Sequence, residues 1–205
     1  RIGTAGLTAQ AVGARDPRDG LLHAARAIGI GLVAGIAMIA LQVPLLWLSE
    51  WVMAPGPGVR EALAAYFQVR IWAAPFSLVN YALLGWFYGR AAATTGMLLQ
   101  MIMHGVNVLL SVGFVYGLGW GIEGVALATV AGAAASCLIG IALLVRHFGG
   151  VARVIDLIVP ADLLDAIALR RMFGLSRDLM IRSIALMGAY GYFAAQGSRM
   201  GEVAL

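Results

Sequence analysis

Long runs without a charged residue are the feature that most constrains this chain. Residues 27–49 contain no Asp, Glu, Lys or Arg. As an α-helix this run is about 34 Å long, which is enough to cross a hydrocarbon core of about 30 Å. Further runs cover residues 71–89, 91–122 and 124–145. Because helices satisfy their own backbone hydrogen bonds in lipid, the pattern predicts an all-α polytopic membrane protein.

Composition excludes the main alternatives. Only 12% of the residues are charged and 61% are hydrophobic, against about 25% and 45–50% in ordinary soluble domains. A surface exposed to water could not be covered with so few charges, and the lipid bilayer is therefore the expected partner. A nucleic-acid-binding domain and a soluble enzyme are excluded. The single Cys137 excludes an internal disulfide framework.

Glycine and proline divide the apolar runs into spans. The 91–122 run is too long for one span, and its glycine-rich residues 117–121 leave a helix of roughly 94–116. A last span covers 183–198, and the opening residues look like the end of an earlier span. The chain is therefore expected to be a fragment of a longer protein, with five spans and part of another. Between spans, residues 162–173 are expected to form an amphipathic surface helix that ends at Gly174.

Arginines indicate the orientation. All 14 lysine and arginine positions are Arg. Ten of them lie in or beside the loops on one side of the predicted spans. The opposite side has Arg60 and Arg199, with Arg70 some way inside a span. The ten are Arg15, Arg18, Arg26, Arg90, Arg146, Arg153, Arg170, Arg171, Arg177 and Arg182. The positive-inside rule places their side in the cytoplasm.

Small residues recur every fourth position on the 124–145 run. They are Gly124, Ala128, Gly132, Ser136 and Gly140. Such a face lets helix backbones approach closely, and we expect it to serve tight packing rather than sliding.

Polar residues align on the 94–116 helix. Gln100, His104, Asn107 and Ser111 are spaced by four, three and four residues, so they share one side of the helix. A polar side chain in hydrocarbon needs a partner or a cavity, so we expect this stripe to face a cavity, with Ser77 and Asn80 lining it from the preceding span. The chain has no HExxH, Walker loop or Cys/His cluster, so no catalytic residue, metal site or cofactor is predicted.

Several segments, in a fixed order, then carry a family resemblance. They are residues 3–16 (GTAGLTAQAVGARD), 66–75 (YFQVRIWAAP), 80–85 (NYALLG), 107–111 (NVLLS), 117–129 (GLGWGIEGVALAT) and 195–201 (AQGSRMG). Together they resemble multidrug and toxic compound extrusion (MATE) transporters, and the last resembles the DinF-like bacterial branch. The similarity covers nearly the whole chain.

The resemblance implies a twelve-helix antiporter of two six-helix lobes in the bacterial plasma (inner) membrane, monomeric when full length. Residues 1–146 would be most of the N-lobe, from the end of helix two through helix six. Residues 147–178 would be a cytoplasmic inter-lobe linker with the amphipathic helix. Residues 179–205 would begin the C-lobe with helix seven and the start of helix eight.

The resemblance also implies a cation-binding site. In the family this site uses an Asp of helix one, an Asn of helix five, an Asp one turn later and a Thr of helix six. Asn107 and Thr129 match, whereas Ser111 stands where the second Asp is expected. Na⁺ favours oxygen ligands with negative charge nearby, by the logic that holds for other hard cations. Loss of that carboxylate favours H⁺ over Na⁺ as the coupling ion, with His104 as a possible helper.

The function that the resemblance implies is export of amphipathic, often cationic small molecules in exchange for H⁺ or Na⁺ by alternating access. One alternative is a flippase for a lipid-linked or large amphipathic substrate. Alternatives of another class are an intramembrane enzyme and a membrane scaffold whose polar stripe only packs.

Overall fold

The computed structural model describes residues 2–53, 56–158 and 160–199, and these residues form helices and turns without any strand. A 3₁₀ turn covers Ile71–Ala73, and a π-helical turn covers Gly113–Gly117. The helices are α1 (Ile2–Gly13), α2 (Pro17–Ala40), α3 (Gln42–Met53), α4 (Pro57–Arg70), α5 (Ala74–Gly89), α6 (Ala93–Val112), α7 (Gly121–His147), α8 (Val151–Leu157), α9 (Pro160–Leu163) and α10 (Ala166–Arg199).

Four helical segments of the described part are long and apolar enough to cross a membrane. They are Pro17–Ala40, Gly58–Gly89, Ala93–Gly117 and Gly121–His147. The all-α polytopic prediction is confirmed. The expected fifth span overlaps α10, whose described apolar stretch is the shorter Met180–Tyr190. The expected start of a further helix after residue 200 lies outside the described residues.

The first complete span begins earlier than the charge pattern predicts, at Pro17 rather than at residue 27. The Asp16 carboxylate caps α2 by accepting the Asp19 N–H at 2.9 Å, and proline is well suited to the first turn of a helix. Asp19 then pairs with His23 one turn later, at 3.2 Å between Oδ2 and Nε2. Charge-free runs therefore mark the lipid-embedded part of a helix and not its start.

Prolines interrupt two of the spans. Pro44 has no N–H to donate to the carbonyl of Ala40, and α2 ends there before α3 begins. Pro75 likewise cannot donate to the Ile71 carbonyl, which accepts the N–H of Ala74 instead. The result is the 3₁₀ turn within the long Gly58–Gly89 segment.

Small residues bring the spans together. A Cβ at Gly35 of α2 would collide with the backbone of Pro75, and one at Gly31 would lie 3.0 Å from the Leu78 carbonyl oxygen. On α7 every member of the four-residue series is buried: Gly124, Ala128, Gly132, Ser136 and Gly140. The expectation that this face packs tightly is confirmed. Cys137, beside it, belongs to the buried apolar core.

The segment after α7 returns to the start of α2. Arg26, only 7% exposed, donates from Nε and Nη2 to the Asp162 carbonyl oxygen at 3.2 and 2.7 Å. Arg18 pairs with the Asp162 carboxylate at 2.7 Å. These contacts place Asp162 and the Arg-rich start of α2 at one end of the bundle.

The amphipathic helix expected over residues 162–173 is not observed as such. α9 ends at Leu163, and α10 starts at Ala166 and continues through Gly174 to Arg199. Asp165 marks its start, since its Oδ1 accepts the Ile167 N–H at 2.9 Å. The prediction that Gly174 ends a helix is wrong, because one interior glycine costs only about 1 kcal/mol. The chain divides into two compact units, residues 1–164 and 165–205.

Candidate functional site

The candidate cation site lies where α6 and α7 approach most closely. Gly132 makes this approach possible, because a Cβ there would collide with the Met103 carbonyl oxygen and lie 3.3 Å from the Cβ of Asn107. The glycine of α7 thus brings the polar side of α6 against its own helix. A close backbone approach of this kind is the usual role of small residues between membrane helices.

Asn107 and Thr129 are in direct contact. The Asn107 Nδ2 donates to the Thr129 Oγ1 at 2.8 Å, and the Thr129 hydroxyl donates to the Val125 carbonyl at 3.0 Å. Both side chains are half-buried. Two residues chosen from the sequence are thus brought together across the helix pair.

Ser111 lies one turn beyond Asn107 on the same side of α6. Its hydroxyl oxygen is enclosed, and it has no hydrogen-bond partner within the described residues. An enclosed oxygen without a partner is uncommon in native structures. It is available to a ligand or to a group from another helix.

Gln100 and His104 continue the stripe toward the start of α6. Gln100 is half-buried and His104 is exposed. They share the side of α6 that carries Asn107, and their assignment to a substrate cavity stays a prediction.

The structure places Asn80 away from an open surface. Asn80 is 3% exposed and donates from Nδ2 to the Ala133 carbonyl at 2.8 Å. The Ser136 hydroxyl lies 3.1 Å from the Asn80 Oδ1 and 3.1 Å from the Leu99 carbonyl. This group joins α5, α6 and α7 one to two turns along α7 from Thr129. Ser77, on α5, is half-buried.

Ser136 was missed as a polar partner by the sequence reasoning, which placed it only in the small-residue series. Its partner Asn80 lies 56 positions away. The available signal was that a hydroxyl replaces Gly or Ala in an otherwise apolar packing face, where it needs an acceptor.

A sequence model of the family described as MatE matches residues 1–112, which is more than half of the chain. The chain belongs to the MatE family. The resemblance found in the sequence is thereby confirmed, and with four apolar spans the chain is part of a multi-pass protein of the bacterial inner membrane.

Curated relatives agree with this assignment. The chain is 32% identical over 206 aligned positions to the DNA damage-inducible protein F of Escherichia coli (strain K12), which covers 98% of this chain and 43% of that protein. It is 33% identical over 141 positions to the probable multidrug resistance protein NorM of Deinococcus radiodurans, which covers 66% of this chain and 30% of that protein. The chain thus spans less than half the length of these relatives.

A solved structure shares the fold. It is described as an inward-facing conformation of a multidrug resistance MATE family transporter of the MOP superfamily. The TM-score is 0.65 at 23% sequence identity, over 80% of this chain and 38% of the other. The fold of the chain is therefore that of part of a MATE transporter.

Proposed function

We propose that this chain supplies most of one lobe of a secondary antiporter, which exports amphipathic cationic small molecules in exchange for H⁺. The single observation that carries the proposal is the Asn107–Thr129 contact beside the enclosed hydroxyl of Ser111, inside a MatE-family fold. Two of the similar proteins are multidrug resistance proteins by name, which supports the substrate class.

Charge favours the proton as coupling ion. Asn107, Ser111 and Thr129 are all neutral, so the site has no carboxylate of its own. A bare Na⁺ is expensive to desolvate without a negative ligand. A single acid contributed by another helix would instead be suited to take and release a proton.

The Asn107–Thr129 contact couples α6 to α7. Asn107 donates from Nδ2 to Thr129, which leaves the amide oxygen Oδ1 available to another group. Thr129 uses its own proton on the Val125 carbonyl. The arrangement suits a joint between two helices whose geometry changes when a nearby acid is protonated.

Transport is favoured over catalysis. The residues brought together at the α6–α7 contact are an amide and two hydroxyls, and no described base forms a hydrogen bond with either hydroxyl to activate it as a nucleophile. The polar stripe instead continues past the contact to Gln100 and His104, as the wall of a substrate cavity would.

The test is substrate efflux from proteoliposomes that contain the full-length transporter, under an imposed H⁺ or Na⁺ gradient. We expect efflux to follow the pH gradient with little response to Na⁺. Ser111→Asp should raise the response to Na⁺, whereas Ser111→Asn, of the same shape without the charge, should not. Asn107→Ala should reduce efflux through loss of the contact with Thr129.

Two results would refute the proposal. Efflux that follows only the Na⁺ gradient would show that Ser111 does not mark a lost ion ligand. Absence of gradient-driven efflux, with movement of a labelled lipid-linked substrate between leaflets, would favour the flippase alternative.

A further inference from the structure

A cavity lies at the Arg-rich end of the bundle, apart from the candidate cation site. Its volume is about 250 Å³, and residues of α1, α2, α5 and α7 line it together with the loop between α1 and α2. The residues that matter for its chemistry are Thr8, Arg15, Trp86, Arg90 and His147. None of them belongs to the predicted transport site.

The cavity carries positive charge that no carboxylate of the described residues pairs with. Arg15 and Arg90 both line it, and neither forms an ion pair with a described acidic side chain. Arg90 stacks on Trp86, with its guanidinium carbon 4.5 Å from the ring centroid. Burial lowers the pKa of Arg90, so its charge is partly removed from water. Asp16, the one acid among the lining residues, accepts the Asp19 N–H at the start of α2, so the two guanidiniums still outnumber the carboxylates.

Two buried polar atoms at the cavity have no hydrogen-bond partner within the described residues. They are the Oγ1 of Thr8 and the Nε1 of Trp86, and both side chains are fully buried. The Trp nitrogen can only donate a hydrogen bond, and the Thr hydroxyl can donate one. In native structures such donors pair with a protein group, ordered water or a bound group. Because both side chains are 0% exposed, these two donors lie behind the wall of the cavity.

We propose that this cavity binds a phosphate group. The two guanidiniums supply charge and paired donors suited to phosphate oxygens. The group comes either from the headgroup of an anionic phospholipid, for which basic pockets between membrane helices are suited, or from free inorganic phosphate.

The experiment has two arms, both on the full-length transporter. In the first, delipidated protein in detergent is titrated with inorganic phosphate, and its thermal midpoint is compared with that in chloride at equal ionic strength. In the second, protein from nanodiscs of phosphatidylcholine and phosphatidylglycerol is analysed by native mass spectrometry for retained lipid. Stabilisation by inorganic phosphate identifies the free anion, and retention of phosphatidylglycerol without it identifies the headgroup.

Variants make the assignment specific. Arg90→Gln should weaken binding about tenfold or more, the usual effect of losing a hydrogen bond to a charged group. Arg15→Gln, in the loop between α1 and α2, should weaken it by a similar factor and decides the matter if Arg90→Gln fails to fold. The matched control is Arg153→Gln, since Arg153 is exposed on α8 and does not line the cavity. Binding in neither arm, or equal weakening by Arg153→Gln, would overturn the proposal.

Discussion

The approach of α6 to α7 at Gly132 makes a sharp prediction about two single-methyl substitutions. Gly132→Ala should destabilise the transporter, because the new Cβ would collide with the Met103 carbonyl. Gly105→Ala, on α6, should be neutral or stabilising, because a Cβ there meets nothing within 4 Å. Both are glycine to alanine changes within a helix, so the intrinsic effect on helix propensity is the same.

The magnitude follows from the contact that must give way. The atom met at Gly132 belongs to the backbone of a packed helix and cannot rotate aside, and overpacking of this kind costs about 1–3 kcal/mol. At Gly105 the change should contribute up to about 1 kcal/mol in favour of the folded state. The two variants should therefore differ in the sign of their effect on the free energy of unfolding.

The assay is thermal unfolding of the full-length transporter in detergent, with efflux measured in parallel. Gly132→Ala should lower the midpoint and also the efflux rate, since separating the helices pulls Asn107 away from Thr129. Gly132→Leu should do so more strongly. Equal midpoints for Gly132→Ala and Gly105→Ala would refute the close contact, and a lower midpoint with unchanged efflux would separate packing from transport.

Three further predictions concern orientation, the linker and Asn80. A cysteine at exposed Gly56 should react with an impermeant thiol reagent from outside the cell and one at exposed Ala14 should not; the reverse pattern would invert the topology. Arg26→Met should reduce the free energy of unfolding by about 1.5–3 kcal/mol and speed protease cleavage near residue 162. Asp162→Asn removes only the ion pair with Arg18, whose side chains are 50% and 41% exposed, and should reduce it by less than about 1 kcal/mol. Equal cleavage rates in the two variants would contradict the anchoring role of Arg26. Asn80→Ala should reduce the free energy of unfolding by about 2 kcal/mol or more, seen as a lower thermal midpoint, without altering the preference for H⁺ over Na⁺. An altered preference would place Asn80 in the transport site.

Features that depend on local spacing could be predicted from the sequence. The four-residue series on α7 identified a packing face because helical periodicity places its members in line. The same periodicity placed Asn107 and Ser111 on one side of α6. The contact with Thr129 required the family resemblance, since periodicity within one helix carries no information about its neighbour.

Features that depend on tertiary partners could not be predicted. The sequence around Asn80 does not distinguish an amide that lines a cavity from one that joins three helices, because its partner Ser136 lies 56 positions away on another helix. The early start of α2 escaped prediction because charged residues in its first turns find partners in the fold, Arg26 on the Asp162 carbonyl among them. Gly174 was misread because Asp165 starts a helix that continues past it.

The length of the Gly58–Gly89 segment determines how deep Arg70 lies in the bilayer. Its 32 residues make a helix of about 48 Å, well beyond the hydrocarbon thickness of about 30 Å. Measured from Gly89, the hydrocarbon is crossed after about 29 Å of helix, which is reached at Arg70. A hydrocarbon edge at Gly89 therefore places the Arg70 guanidinium at the level of the headgroups on the opposite side. The same measure places the start of α4, with Arg60 and Glu61, beyond the hydrocarbon.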